Sequence, residues 1–311
     1  MKPTSFSTAD LSEFIKEHSH LDIRIDVEMK KYTTFGIGGP ADVLVLPTTE
    51  AELHSVLKTC ERLSLPLFFL GGGSNLLVAD EGVRGVVIKL AGSMAKMEVF
   101  DDGESISVGA GVSFPALTKK ALELGWESAL GWMGTPGLVG GALKMNAGTR
   151  DGCIGEVVVE VNGVSAGKQF AFAHDECGFA YRSSDFPSTC LLTRAHLQCD
   201  DRRSESPGAL KLRAKELLKK RHQSQPKKRS AGSIFKNPPG DFAGRLIEVA
   251  GLKGMKKGGA QISDVHANFI VNLGDATAAD VLHLAGMCQE KIASRFHVNL
   301  EWEVRRVGDF K

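Results

Sequence analysis

Three short segments of the chain carry residue types suited to moving a proton or holding an anion. Ser230-Ala231-Gly232-Ser233-Ile234-Phe235-Lys236-Asn237 sets a serine after a glycine and before two bulky apolar residues. A hydroxyl projected from such a turn into a partly dry pocket can act as a proton donor. Lys236 and Asn237 then offer a cation and an amide to an anionic partner. The same residues also fit a plain turn whose serine bonds its own backbone. Tyr181-Arg182-Ser183-Ser184 flanks an arginine with aromatic and small neighbours. That setting suits a half-buried cation facing a carboxylate or a developing oxyanion, and suits a structural ion pair as well. Leu300-Glu301-Trp302-Glu303-Val304-Arg305 alternates polar and apolar residues. As a strand it puts Glu301, Glu303 and Arg305 on one face and Leu300, Trp302 and Val304 on the other. One of these carboxylates can serve a site, or the face can simply be solvated. Gln261 to Asn268 is polar on one phase, and its His266 fits either a catalytic group or a hydrogen-bonded structural histidine.

A second set of segments is glycine-rich. Leu70-Gly71-Gly72-Gly73-Ser74-Asn75 follows the apolar run Leu67-Phe68-Phe69 and leaves bare main-chain amides that suit a phosphate oxygen. Gly134-Thr135-Pro136-Gly137-Leu138-Val139-Gly140-Gly141-Ala142-Leu143-Lys144-Met145-Asn146-Ala147-Gly148 contains a single charge, Lys144, and suits backbone lying against a large ligand. Thr33-Thr34-Phe35-Gly36-Ile37-Gly38-Gly39-Pro40 has the same character. None of them fits G-x-G-x-x-G between a strand and a helix, and no G-x-x-x-x-G-K-[ST] occurs. A dinucleotide bound here therefore calls for a fold other than Rossmann or P-loop.

These segments need elements to hold them. Apolar spacing predicts a helix over 50–64 capped by Thr49, and strands over 67–70 and 83–90. A hairpin is expected over 97–108, a helix over 113–124 capped by Ser113, and strands at 157–163, 170–172 and 191–197. Residues 199–208 read as a polar loop, and 209–221 as a basic helix with a mostly solvated face. Helices over 241–250 and 276–296 then surround a strand at 268–272. The reading is three domains: 1–91, 92–222 and 223–311.

Composition narrows the function classes. A formal charge of +1 over 311 residues gives no global case for nucleic acid or a membrane surface. No apolar run approaches a membrane helix, and the polar, acidic N-terminal stretch is unlike a signal peptide. Six cysteines without a C-x-x-C pair read as buried free thiols of a reducing cytoplasm. His18 and His20 stand close together, but no other ligand-type spacing supports them, so no metal is expected.

In combination, Tyr-Thr-Thr-Phe-x-Ile-Gly-Gly-Pro-Ala, Gly-Gly-Gly-Ser-Asn-Leu-Leu, Gly-Thr-Pro-Gly-x-Val-Gly-Gly-Ala, Met-Asn-Ala-Gly, Tyr-Arg-x-Ser, Ser-Ala-Gly-Ser-x-Phe-Lys-Asn-Pro and Glu-Val-Arg-x-x-Gly resemble the UDP-N-acetylenolpyruvoylglucosamine reductase (UDP-N-acetylmuramate dehydrogenase) family from Thr33 to Gly308. The resemblance implies an α+β chain. Two of its lobes would form an FAD-binding unit of the vanillyl-alcohol-oxidase/PCMH type, with a smaller α/β substrate-binding domain. It implies FAD contacts from Thr33, Gly36, Ile37, Gly38, Gly39, Leu70, Gly71, Gly72, Gly73, Ser74, Asn75, Gly134, Pro136, Gly137, Gly140, Gly141, Asn146, Ala147 and Gly148. NADPH would reduce the flavin, and hydride from flavin N5 would reach the vinyl carbon of UDP-N-acetylglucosamine enolpyruvate. By the same resemblance Arg182 stabilises the enolate and Ser233 supplies the proton. Glu303, protonated or hydrogen-bonded, stands at the substrate carboxylate, where a bare anion would oppose the developing charge. Tyr181, Lys236, Asn237, Gln261, His266 and Asn268 are the implied substrate-binding residues. The spacing from Arg182 to Ser233 and the presence of only two tyrosines resemble the subtype without an extra tyrosine-bearing loop. A cytoplasmic monomer in peptidoglycan precursor synthesis is implied.

Overall fold

The computed structural model describes residues 7–100, 103–149, 151–165, 168–199 and 207–310. Two compact units emerge, one from residues 1–25, 43–72 and 85–219, the other from 26–42, 73–84 and 220–311. The division falls within the strands Asp22–Glu28, Pro40–Leu46 and Val83–Ile88.

The first unit is built on a five-stranded sheet in the order Lys168–Ala173, Val158–Ser165, Leu191–Gln198, Ser105–Gly109, Met97–Val99, antiparallel throughout. The parallel pair Leu67–Phe69 with Val86–Ile88 belongs to the same unit. Its core includes Phe14, Val56, Leu57, Ile106, Phe114, Trp126 and Leu197. The helix Glu50–Arg62 turns Leu53, Val56, Leu57 and Cys60 into this core. The Thr49 side chain and Glu52 close a capping box at its start, satisfying amides that would otherwise be orphaned.

The second unit has a three-stranded antiparallel sheet, Lys256–Lys257, Ala260–Ile262 and Ile270–Asn272. The strand Arg305–Val307 pairs in parallel with Leu76–Val78. Helices Ala243–Val249 and Ala278–Phe296 cover a core that includes Phe35, Ile37, Leu77, Ile234, Phe235 and Leu284.

Several expectations change. Ser113 sits at the N-cap position of Phe114–Glu123 but makes no capping bond with its side chain; its main chain bridges to Leu138. Within the glycine-rich segment 134–148, Val139–Lys144 forms one short helix. The basic helix begins earlier, at Pro207, where a missing N–H costs nothing in the first turn. Only Arg305–Val307 of the segment 300–308 is regular strand. The polar loop over 200–206 and the turn at Asp101-Asp102 lie outside the described residues. The helix Thr8–Glu17 and the strands Asp22–Glu28, Pro40–Leu46, Leu76–Val78 and Ala260–Ile262 are further elements; the first two carry a period in the sequence, Leu11, Phe14 and Ile15 at helical spacing and Ile23, Ile25 and Val27 in alternation.

Among the described residues all six cysteines are free and five are buried. No group of three His, Cys, Asp or Glu side chains gathers as metal ligands there. None of the described helices is long and apolar enough to cross a membrane.

Candidate active site

In the second unit, the local hydrogen bonding around Ser233 is dense. Ile234 N–H donates to the Asn268 carbonyl (2.8 Å), and Glu303 N–H donates to the Ile234 carbonyl (2.8 Å). Lys236 N–H donates to the Glu301 carbonyl (2.8 Å), and Phe235 bridges to Trp302. Ser233 and Glu303 therefore lie on neighbouring stretches of chain. Asn268, buried, clamps the same stretch with its side chain: Nδ2 donates to the Phe235 carbonyl (2.8 Å) and Oδ1 accepts from Phe235 N–H (3.0 Å). Gly232, at φ +80°, has open space where a Cβ would stand. Ser233 is half-buried, and its hydroxyl makes no hydrogen bond among the described residues. The self-bonded turn is therefore not what forms here, and the Oγ–H is available to a ligand.

The irregular pairing explains the shortened strand at the C-terminal end. Residues 301–304 run beside Ile234–Lys236 and bond to them before the chain enters register with Leu76–Val78. The expected alternation holds only in part: Leu300 and Val304 are buried and Glu301 is exposed, but Trp302 and Glu303 are both half-buried. Of the two glutamates, Glu301 faces Lys236, 3.6 Å away. Glu303 is the one beside the Ser233 stretch.

The Gly73–Asn75 turn belongs to this unit and is tied to the same place. Asn75 Nδ2 donates to the Glu303 carbonyl (2.9 Å), and Arg305 N–H donates to the Asn75 carbonyl (3.0 Å). Gly73, at φ +65°, accepts from Thr34 N–H (3.0 Å), and a Cβ there would lie 1.9 Å from the Tyr32 carbonyl oxygen. Thr33 Oγ1 donates to the Ile37 carbonyl (3.0 Å), which closes the Thr33–Gly39 loop on itself. Gly38 packs against Val78 and Gly39 against the Asp80 carbonyl, with no room for side chains. Asn272 Nδ2 donates to the Phe35 (3.0 Å) and Gly36 (3.2 Å) carbonyls. In the sequence Asn272 is only the polar end of the strand 268–272, and nothing there marks it as a clamp.

The implied substrate-binding residues in this unit are mostly engaged in structure. Asn237 Oδ1 accepts from Ala243 N–H (3.1 Å) at the start of a helix. Gln261 Nε2 reaches Asp264 Oδ2 (3.0 Å) and the Gly254 carbonyl (3.3 Å). His266 Nδ1 accepts from Asn268 N–H (3.2 Å), which leaves the proton of the neutral ring on Nε2. Burial pushes the His266 pKa below the usual imidazole range, with the Lys253 charge adding to the effect. The ring is therefore neutral near pH 7. This matches the structural histidine.

The first unit holds the other glycine segments. A Cβ on Gly72 would meet Gly137 Cα at 2.6 Å, so the two loops touch main chain to main chain. Gly137, at φ +113°, accepts from Phe114 N–H (2.9 Å), and Gly140 N–H donates to the Ala110 carbonyl (2.9 Å). Around Gly71 and Gly141 nothing lies within 4 Å of a Cβ position. Packing does not require glycine at those two positions; they leave bare backbone open, as an extended polyanionic cofactor needs. Asn146, at φ +41°, bridges the Ala180 carbonyl (3.1 Å, from Nδ2) and Gly155 N–H (3.0 Å, to Oδ1). It thereby connects Ala147 and Gly148 to the Tyr181–Arg182 turn. That turn is a two-residue reversal closed by reciprocal bonds between Ala180 and Ser183 (3.1 and 3.2 Å). Arg182 is half-buried at φ +56°, a strained conformation for a non-glycine residue, and its guanidinium lies 5.5 Å from the Tyr181 ring centroid. Lys144 Nζ donates to the Pro187 carbonyl (2.9 Å) within this unit.

The fold and these bare-backbone loops define an FAD-binding oxidoreductase: the family model described as "FAD binding domain" matches residues 41–167. Residues 225–307 match the model for the UDP-N-acetylenolpyruvoylglucosamine reductase C-terminal domain. A UDP-N-acetylenolpyruvoylglucosamine reductase 2 of Symbiobacterium thermophilum is 43% identical over 92% of both chains. The reductase of an Anaeromyxobacter species is 40% identical over 97% of this chain and 94% of its own. The crystal structure of the reductase from Thermus caldophilus superposes with a TM-score of 0.78 and 40% identity, covering 93% of this chain and 99% of that one. The chain belongs to the UDP-N-acetylenolpyruvoylglucosamine reductase family.

Proposed function

We propose that the protein reduces UDP-N-acetylglucosamine enolpyruvate to UDP-N-acetylmuramate with NADPH, in the cytoplasm and as a monomer. Residues 1–91 and 92–222 are read as the two FAD-binding lobes and 223–311 as the substrate-binding domain. The glycine segments named above would hold FAD, which when bound supplies the hydride. Ser233 Oγ–H delivers a proton to the substrate carbon beside the carboxylate, completing the saturation of the vinyl group. Arg182 holds charge on that carboxylate; its guanidinium stays ionised and needs no proton transfer to act. Glu303 hydrogen-bonds the same carboxylate, and Lys236 and Asn237 orient the nucleotide sugar.

The observation that carries this reading is the half-buried Ser233 hydroxyl, unused by the described residues and set beside Glu303. Anaerobic flavin spectroscopy tests it. NADPH should bleach the yellow protein before any sugar is added, and the enolpyruvyl sugar should restore the colour. A protein that NADPH leaves yellow is not this reductase.

A further inference from the structure

The basic run that ends at Arg229 divides in two. Its first part lies on the helix Pro207–Ser224, with Lys211, Lys215, Lys219 and Lys220 exposed. Its last part, Lys227-Lys228-Arg229, lies beyond the helix, and its end is anchored at the Arg229 and Ser230 carbonyls. Asn272 N–H donates to the Arg229 carbonyl (2.9 Å), and the Thr34 hydroxyl donates to the Ser230 carbonyl (2.8 Å). The Arg229 side chain lies across Gly36, where a Cβ would come within 2.8 Å of Nη1 and 2.9 Å of Cδ. Four residues further on stands Ser233.

Some cations of this unit have carboxylates, Lys236 with Glu301, Arg245 with Asp241 and Lys253 with Glu248, while Lys256 and Lys257 form no ion pair among the described residues. Lys227, Lys228 and Arg229 are exposed, and none forms an ion pair among the described residues. Three consecutive like charges leading into an anchored Arg229 repel one another. An anion brought among them removes that repulsion.

We propose that Lys227, Lys228 and Arg229 form an anion site that takes a phosphate group of a nucleotide ligand entering the Ser233 site. The inference rests on the reductase reading for its ligands, both of which carry phosphate: NADPH has a diphosphate and a 2′-phosphate, and the UDP-sugar has a diphosphate. Charged hydrogen-bond donors on a pre-positioned loop recognise either.

The experiment compares Lys227→Gln/Lys228→Gln with the charge-preserving Lys227→Arg/Lys228→Arg. Calorimetric titration with NADPH, NADH, UDP and uridine is run on the FAD-loaded protein at low and high salt. Removing the two charges should weaken one phosphorylated ligand about tenfold, as expected for two partly exposed charged contacts. High salt should shrink the difference. The Arg pair should bind like the wild type. Loss for NADPH but not NADH assigns the 2′-phosphate; loss for UDP but not uridine assigns the diphosphate. Unchanged binding of both ligands overturns the proposal, as does an Arg pair as defective as the Gln pair. A wild-type protein that NADPH does not bleach defeats the reductase reading separately, and the UDP arm still tests the site.

Discussion

Both units use glycines without room for a Cβ and buried asparagine clamps, Asn146 in the first among them, but with different emphasis at the segments that face a ligand. In the first, position comes from the absence of side chains: Gly72 and Gly137 meet main chain to main chain. In the second, buried asparagines do much of the work, with Asn268 gripping both polar groups of Phe235 and Asn272 holding the carbonyls of Phe35 and Gly36. Glycine contact gives a loop whose own amides stay free for a ligand. An amide clamp consumes backbone groups and leaves side chains such as Ser233 free instead. The first arrangement suits the holding of a cofactor by main chain, the second the presentation of a reactive hydroxyl.

The contrast can be broken first at the glycines. Gly72→Ala would set a Cβ 2.6 Å from the Gly137 Cα, main chain against main chain, and should destabilise by at least about 4 kcal/mol in urea unfolding. Gly71→Ala meets nothing within 4 Å and should change stability by no more than about 0.5 kcal/mol, while weakening FAD binding in an equilibrium titration. A Gly71→Ala protein with normal FAD affinity would show that the open backbone there does not face the cofactor.

Asn268→Ala comes next in size. It strands a buried donor and acceptor of Phe235 and should cost about 3 kcal/mol, read from the same unfolding curves. A loss below about 1 kcal/mol would mean that water or a neighbour replaces the clamp.

The smallest effect belongs to the first unit. His18 is fully buried against Phe14, with neither ring nitrogen hydrogen-bonded among the described residues. Burial holds its pKa below the ordinary value, opposed by Glu17 and aided by His20 and Arg62. The unfolded chain then binds more protons than the folded one as pH falls through about 6.5, so stability drops on acidification. His18→Leu should flatten the stability profile between neutral pH and about pH 5. An unchanged slope would assign the acid sensitivity elsewhere.

Much of this was legible in the sequence, for identifiable reasons. Amphipathic helices such as Glu50–Arg62 announce themselves because burial follows their period and Thr49 and Glu52 mark the start. Glycine segments announce close approach, although residue type alone does not separate Gly72, excluded from bearing a Cβ by Gly137, from Gly71, free on every side. Short strands such as Leu76–Val78 carry too few residues for a period to show; what places this one is parallel pairing with Arg305–Val307, over two hundred residues away. Asn272 was illegible because its role depends on a loop distant in sequence, Phe35–Gly36. Ser233 was ambiguous until its hydroxyl could be seen to lack a backbone partner.

The most direct measurement is anaerobic stopped-flow spectroscopy of Ser233→Ala with each ligand in turn. The account predicts that NADPH bleaches the variant at the wild-type rate, while the enolpyruvyl sugar restores its colour ~10²-fold more slowly or worse, the usual loss for a missing general acid. Equal slowing of both steps, or none in the second, would contradict it.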